Sequence, residues 1–310
     1  MFRRCATKGL GRAAKSPPKV PSDSARCAAV AMDRLTATRA TATSSHLLHK
    51  GMREFPARRL VCLTEETVET LYLLGEEDRI VGVSGYAVRP PRVRHEKPRI
   101  SAFTSADIPK IAALEPDLVL AFSDIQADIA GDLARAGLAV HVFNQRDLSG
   151  IFAMIRTVGA LIGCPDKAND LARSLEDRVC AVASETRSRT PRPRVYFEEW
   201  DDPMISGICW VSELIEIAGG DDIFAEKRSA AAAKDRIVSA DDVLSRAPDV
   251  ILASWCGKKV RPEKISARQG WHDMPAVANN RIHEIKSPLI LQPGPAALTD
   301  GLTAIRNALA

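Results

Sequence analysis

One stretch of this chain occurs twice. Residues 105–122 read SADIPKIAALEPDLVLAF, and residues 239–255 read SADDVLSRAPDVILASW. Each copy begins Ser-Ala-Asp, continues with helical spacing, reaches Pro-Asp and ends in an apolar run. The copies start too far apart for a solenoid period and about one lobe apart. Ser105 or Asp107, and Ser239, can cap the helix by accepting backbone N–H bonds. Pro116 and Pro248 stop it and are expected to force the residue before them into extended backbone. The apolar runs at 118–122 and 250–255 suit strands buried on both faces. A helix feeding a buried strand, twice, predicts two layered lobes.

The fold class is therefore α/β: two lobes with mostly parallel sheets, joined by a long backbone helix, with a ligand cleft between them. Strand and helix alternate from residue 58 to 143. Residues 148–187 then carry apolar residues at helical spacing (Ile151, Ile155, Val158, Ile162; Leu171, Leu175, Val179), broken at Gly163-Cys164-Pro165. A helical connection restricts hinge motion far more than a flexible linker. The expected domains are a tail at 1–55, a lobe at 56–146, the linking helix at 147–190 and a second lobe at 191–310. Ligands of such α/β layers sit at the carboxyl ends of the strands.

Charge is unevenly placed. The first 51 residues hold ten Lys or Arg against Asp23 and Asp33, so the tail carries +8 and the remainder, from a total of +4, is −4. A slightly acidic body gives no nucleic-acid footprint. The tail, rich in Ala, Arg, Ser and Thr, is expected to be disordered. It shows neither the apolar core of a secretory signal nor a lipid-attachment pattern, and Met52 is the expected start of translation. No apolar run is long enough to cross a membrane. Seven scattered cysteines without C-x-x-C give neither a zinc site nor a disulfide framework, and fit a reducing compartment.

Candidate chemistry is sparse. Thr64 is expected to cap a helix whose early turns carry Glu65, Glu66 and Glu69, favourable to the helix dipole, and this reads as a helix start rather than a site. Glu198 and Glu199 are adjacent on a strand and point to opposite faces, so they cannot flank one bond as an acid/base pair. One is expected to face the cleft and accept a ligand hydrogen bond, the other to reach solvent or a lobe contact. His95, His141, His272 and His283 show no paired spacing, and no metal cluster assembles. No Walker, dinucleotide or G-x-S-x-G motif is present. Trp200, Trp210 and Trp255 lie at strand ends or helix starts facing the expected cleft, where aromatics offer planar contact to a ring ligand.

Taken in order, TEETVETLYLLG, VGVSGY, SADIPKIAALEPDLVL, the long helix, ELIEIAGGDDIF and SADDVLSRAPDVIL resemble the substrate-binding proteins of ABC importers for vitamin B12, haem and ferric siderophores, with the nearest likeness to the cobalamin binders. The resemblance covers residue 57 to the end. It implies a ligand held between two lobes, no catalysis, no resident cofactor and a monomer. It places Tyr86, Phe103 and Met204 against the ligand, beside Trp200, Trp255 and Glu199 from the residue reading. It implies an acidic residue on each lobe for docking to a permease: Asp241 keeps that charge, whereas Pro109 replaces it on the first lobe and Asp107 stands two residues away. A periplasmic setting is implied, with a cytoplasmic binder derived from an importer component as the alternative. The expected function is corrinoid binding. Haem, a ferric siderophore or a metal ion on the same fold is the second reading; an anionic siderophore would call on Lys258, Lys259, Arg261 and Lys286. An enzyme using Glu198 or Glu199 is the third.

Overall fold

The computed structural model describes residues 55–310. The expectations placed on the basic tail and on Met52 lie outside the described residues. The first sheet contains β1 (Leu60–Cys62), β2 (Ile80–Ser84), β3 (Arg99–Ser101), β4 (Leu118–Phe122) and β5 (Val140–Phe143) in the order β3-β2-β1-β4-β5. All its pairings are parallel. The second sheet contains β6 (Arg194–Asp201), β7 (Met204–Ser206), β8 (Asp221–Asp222), β9 (Val250–Ala253) and β10 (Ile282–Glu284) in the order β10-β9-β6-β7, with β8 beside β6. Here only the β6–β7 hairpin is antiparallel. Strands β1 and β9 are buried along their whole length, as parallel strands covered on both faces must be.

The helices that position the cleft are α1 (Glu65–Leu73), α2 (Ile108–Ala112), α3 (Ala127–Arg135), α4 (Leu148–Leu161), α5 (Pro165–Thr186), α6 (Cys209–Ile217), α7 (Ala240–Arg246) and α8 (Leu302–Leu309). In the first lobe the chain leaves β1 for β2 and β3 on one side, then returns to β4 on the other. The loops after β1 and β4 therefore flank the topological switch point, where open α/β sheets bind their ligands.

The two repeat copies perform the same local work. Asp107 caps α2 by accepting the Lys110 N–H at 3.0 Å, and Ser239 caps α7 in a full capping box with Asp242. Past each proline, an aspartate ties the strand's entry to its neighbour. Asp117 Oδ2 accepts the Arg58 and Arg59 N–H groups at 2.9 and 2.8 Å, and Asp249 Oδ2 accepts the Arg194 N–H at 2.8 Å. One expectation fails in both copies alike. Glu115 and Ala247, just before the prolines, are left-handed (φ 47° and 41°) rather than extended. A left-handed residue escapes the clash that proline imposes on right-handed helix, and it turns the chain sharply into the strand.

Helices α4 and α5 separate the sheets, with the break at Gly163 (φ 75°) and Pro165 that the sequence marks. They cross closely: a Cβ on Gly159 would lie 2.1 Å from the Ala168 Cβ. One apolar cluster runs from Leu60 and Cys62 through Ile151, Ile155 and Val158 to Val195, Phe197 and Leu214. The lobes thus share a continuous core, which is stiffer than a hinge of solvated linkers.

The end of the chain closes the structure. After β10 it crosses to the first lobe, where Gln145 Nε2 donates to the Pro293 carbonyl at 3.0 Å and the Ala296 N–H donates to Glu69 at 2.9 Å. Arg89 joins Glu69 and Asp300, both at 2.9 Å. Gly294 passes against α1 so tightly that a Cβ there would lie 2.5 Å from the Glu66 Cβ. Residues 297–301 form a π-helical turn before α8, which is how Gly301 interrupts the terminal helix. Among the described residues no helix is long and apolar enough to cross a membrane.

Candidate functional site

A cleft of about 400 Å³ opens between the lobes. From the first lobe, Phe103, Phe122, Asp124, Ile125 and Arg146 line it; all follow or end strands β3, β4 and β5. From the second lobe come Glu199, Ile208, Trp210, residues 231–234, Arg236, Cys256 and Leu291. Its walls combine aromatic and aliphatic side chains with the charged Asp124, Arg146, Glu199, Lys234 and Arg236. Gln126, wholly buried, shapes the first wall by accepting the Phe122 N–H at 2.9 Å and donating to the Phe103 carbonyl at 2.8 Å. Trp210 is fixed by its indole N–H, which donates to the Ile290 carbonyl at 2.8 Å. Arg146 pairs with Asp124 at 2.9 Å and lies 5.4 Å over the Phe122 ring.

The expected site residues divide. Phe103 and Glu199 line the cleft. Tyr86 is 53% exposed after β2, a free aromatic beside the strand ends rather than part of the cleft lining. Trp200 is half-buried, donates to the Asp202 carbonyl at 2.9 Å and carries the Lys258 ammonium 4.0 Å over its ring. Met204 packs against the second lobe's own core. Trp255 is 2% exposed inside that core, and its indole N–H donates to Glu198 Oε1 at 3.0 Å, so its place is structural rather than ligand-facing. Of the tryptophans it is Trp210 that lines the cleft.

Both strand carboxylates are already committed. Glu199 takes Arg236 in a two-pronged pair at 2.6 and 3.0 Å, and Arg236 is itself 1% exposed. Glu198 has no solvent exposure and takes Arg268 at 2.5 and 3.0 Å. Neither is the free acceptor expected from the sequence, and Glu198 reaches no solvent. Bidentate pairs of this kind are geometrically specific and engage both oxygens of each carboxylate.

The acids at the start of α1 behave differently from a solvated helix start. Thr64 does not cap the backbone; its hydroxyl donates to Glu66 Oε1 at 2.6 Å. Burial pushes the Glu65 carboxyl up to about 8, helped by the neighbouring Glu66 charge, and pushes Glu66 up to about 7. Desolvation therefore outweighs the dipole that favours the ionised form. Burial, then the charges of Glu199 and Glu65, raise the thiol of Cys256.

Asp241 is exposed in the first turn of α7. Asp107 is exposed too, but one carboxylate oxygen is engaged in capping α2. Among the described residues no group of three or more His, Cys, Asp or Glu could hold a metal ion.

Residues 60–289 match the periplasmic binding protein family. The chain belongs to that family. It is a substrate-binding protein of the ABC-importer kind, and the family binds solutes rather than transforming them. Over 250 residues, covering 80% of this chain and 88% of the relative, it is 25% identical to the vitamin B12-binding protein of Vibrio parahaemolyticus. Its fold is similar to that of the periplasmic vitamin B12 binding protein of Vibrio cholerae (TM-score 0.66, 24% identity, 83% and 98% of the two chains). It is equally similar to the periplasmic heme-binding protein of Roseiflexus sp. RS-1 (TM-score 0.69, 24% identity, 82% and 100%). The fold is thus shared across ligands, and side chains in the cleft must decide among them.

Proposed function

We propose that this periplasmic binding protein holds a corrinoid, a cobalamin-type ligand, between its lobes for delivery to an ABC permease. The observation that carries the reading is the apolar cleft walled by Phe103 and Phe122 on one lobe and Trp210 and Ile208 on the other. Such walls suit a broad, flat ring whose edges carry polar groups. The curated relative named for vitamin B12 supports the same choice. The cavity is smaller than a whole corrinoid, so part of the ligand stays outside, where Tyr86 offers an exposed ring. Asp241 and Asp107, exposed on opposite lobes, are the permease contacts in this reading.

A second reading has one observation in its favour. Arg146 and Lys234 stand in the cleft, and both could receive the carboxylates of haem or of a ferric siderophore.

The test is a titration of the full chain with cyanocobalamin and, in parallel, with haemin and a ferric siderophore, followed by tryptophan fluorescence and calorimetry. Trp210 is the reporter. One-site saturation by cyanocobalamin with Kd at or below ~1 μM, about −8 kcal/mol, is expected, weakened roughly tenfold by Phe103→Ala. No cobalamin saturation at ~100 μM with tight haemin binding refutes it in favour of the second reading.

A further inference from the structure

The end of the chain makes an excursion from one lobe to the other and back. It leaves the second lobe after β10, where the Ile285 N–H donates to the Ala253 carbonyl at 2.9 Å. It returns there as α8, which packs against α6 and β9, and Arg281 donates to the Ala308 carbonyl at 3.1 Å. Between these anchors, residues 293–300 lie on the first lobe. Gln145 holds the Pro293 carbonyl, the Gly294 backbone presses on α1, Glu69 takes the Ala296 N–H, and Arg89 reaches Asp300. A segment fixed to one lobe at both ends and to the other in its middle must be stretched or released before the lobes can separate. The same segment builds the cleft: Leu291 lines it, and the Ile290 carbonyl fixes Trp210.

We infer that residues 286–301 are a buckle that sets the gap between the lobes, and that Glu69 is the positioning residue that fastens it. Glu69 is 8% exposed and uses both of its oxygens. Oε1 accepts from Arg89 and Oε2 from the Ala296 N–H, each at 2.9 Å. Arg89 continues to Asp300, in the π-helical turn. Glu69 therefore joins three pieces of chain: α1, the loop after β2 that carries Tyr86, and the buckle. The Arg89–Asp300 pair is open to solvent on the aspartate side and is the weaker tie. Without Glu69 the buried Ala296 N–H has no acceptor, a cost relieved when the buckle lifts into water.

The buckle doubles the connection made by α4 and α5. A single connection leaves the lobes free to open about it, because a few residues at its ends can absorb the turn. A second connection removes that freedom. Glu69 lies outside the cleft lining and acts through Leu291, Trp210 and the Tyr86 loop. Its role rests on the cleft between the lobes being the ligand site, whichever ring fills it.

The experiment measures the gap first, without ligand. Nitroxide-bearing non-natural residues replace the exposed Ala134 on α3 and Ser245 on α7 in the full chain, and electron–electron double resonance reads the distance between them. Wild type is expected to give one narrow distribution. Glu69→Ala is expected to broaden it towards longer distances. It should also speed cyanocobalamin dissociation about tenfold in stopped-flow tryptophan fluorescence, with association unchanged within about threefold. Arg89→Met severs the ties to Glu69 and Asp300 without emptying the Glu69 site, so it serves even where Glu69→Ala does not fold. It is expected to broaden the distances less and to speed dissociation about threefold. Asp117→Ala removes the acceptor of two backbone N–H groups inside the first lobe and controls for lost stability alone. It is expected to lower the urea midpoint and to leave distances and dissociation as in wild type. Wild-type distances in whichever of the two buckle variants fold overturn the inference. So do longer distances with unchanged dissociation, or Asp117→Ala effects equal to theirs. A wild type that binds no cyanocobalamin sinks the corrinoid reading alone, and the ligand-free distances still decide the buckle.

Discussion

Burying two adjacent carboxyls at the head of α1 ties the stability of this protein to pH in the sense opposite to ordinary acid denaturation. Glu65 has an ordinary value of 4.5 in the unfolded chain and about 8 when folded; for Glu66 the folded value is about 7. Between these limits the unfolded chain has released the proton and the folded one retains it. The folded state binds more protons, so stability falls as pH rises. Below about pH 4.5 both states are protonated and the burial costs nothing extra. Above pH 8 the full penalty is present. At 1.36 kcal/mol per pH unit, that is about 5 kcal/mol for Glu65 and about 3 kcal/mol for Glu66. The two are coupled through their mutual repulsion and do not add. Against a typical stability of about 5–15 kcal/mol, either is large. Glu65→Gln preserves shape and removes the charge, so it should stabilise the protein at pH 9 by roughly 3–5 kcal/mol and by less than about 1 kcal/mol at pH 4.5. Urea unfolding of both proteins at pH 4.5, 7 and 9, followed by far-UV circular dichroism, measures this directly. A variant that gains nothing at pH 9, or gains equally at all three values, would refute the assignment of these acids as neutral in the fold.

The other predictions concern packing and pairing away from the α1 acids. Arg268→Ala leaves the fully buried Glu198 without its partner and should cost about 3–5 kcal/mol, whereas Glu198→Gln with Arg268→Met should recover most of that loss in the same urea titration. Gly159→Ala puts a methyl 2.1 Å from the Ala168 Cβ and must push α4 and α5 apart; a loss of about 1–3 kcal/mol is expected, read as a lowered thermal midpoint.

How much of this was legible in the residues depended on whether the cause was local. The repeat copies display their caps and proline stops within a few residues, so Asp107, Ser239 and the strands after Pro116 and Pro248 could be placed by pattern alone. The break at Gly163 and Pro165 was legible for the same reason. The left-handed Glu115 and Ala247 were not, because a residue before proline has two escapes from helix and the pattern does not choose between them. The tryptophans show the limit more sharply. Trp210 and Trp255 sit in similar contexts and both are buried, yet Trp255 is held inside the second lobe's core by Glu198 Oε1 while Trp210 is held where the main core meets the cleft wall by the Ile290 carbonyl, eighty residues away. Arg236, in an alanine-rich loop, carried no motif; only the need of Glu199 for a partner could have pointed to it.

Glu65 and Glu66 are the case in which local reasoning chose the wrong environment. Two glutamates after a threonine look like a solvated helix start, and for an isolated helix the dipole argument would hold. What changes their chemistry is burial, to which the backbone at Gly294 contributes by lying against Glu66, as it can only because Gly294 has no side chain. Desolvation is the dominant force on both carboxyls. The two lobes consequently treat their buried acids differently, although they share a repeat. The second lobe neutralises its strand acids internally with Arg236 and Arg268. The first leaves Glu65 and Glu66 without a basic partner, and burial raises both carboxyls.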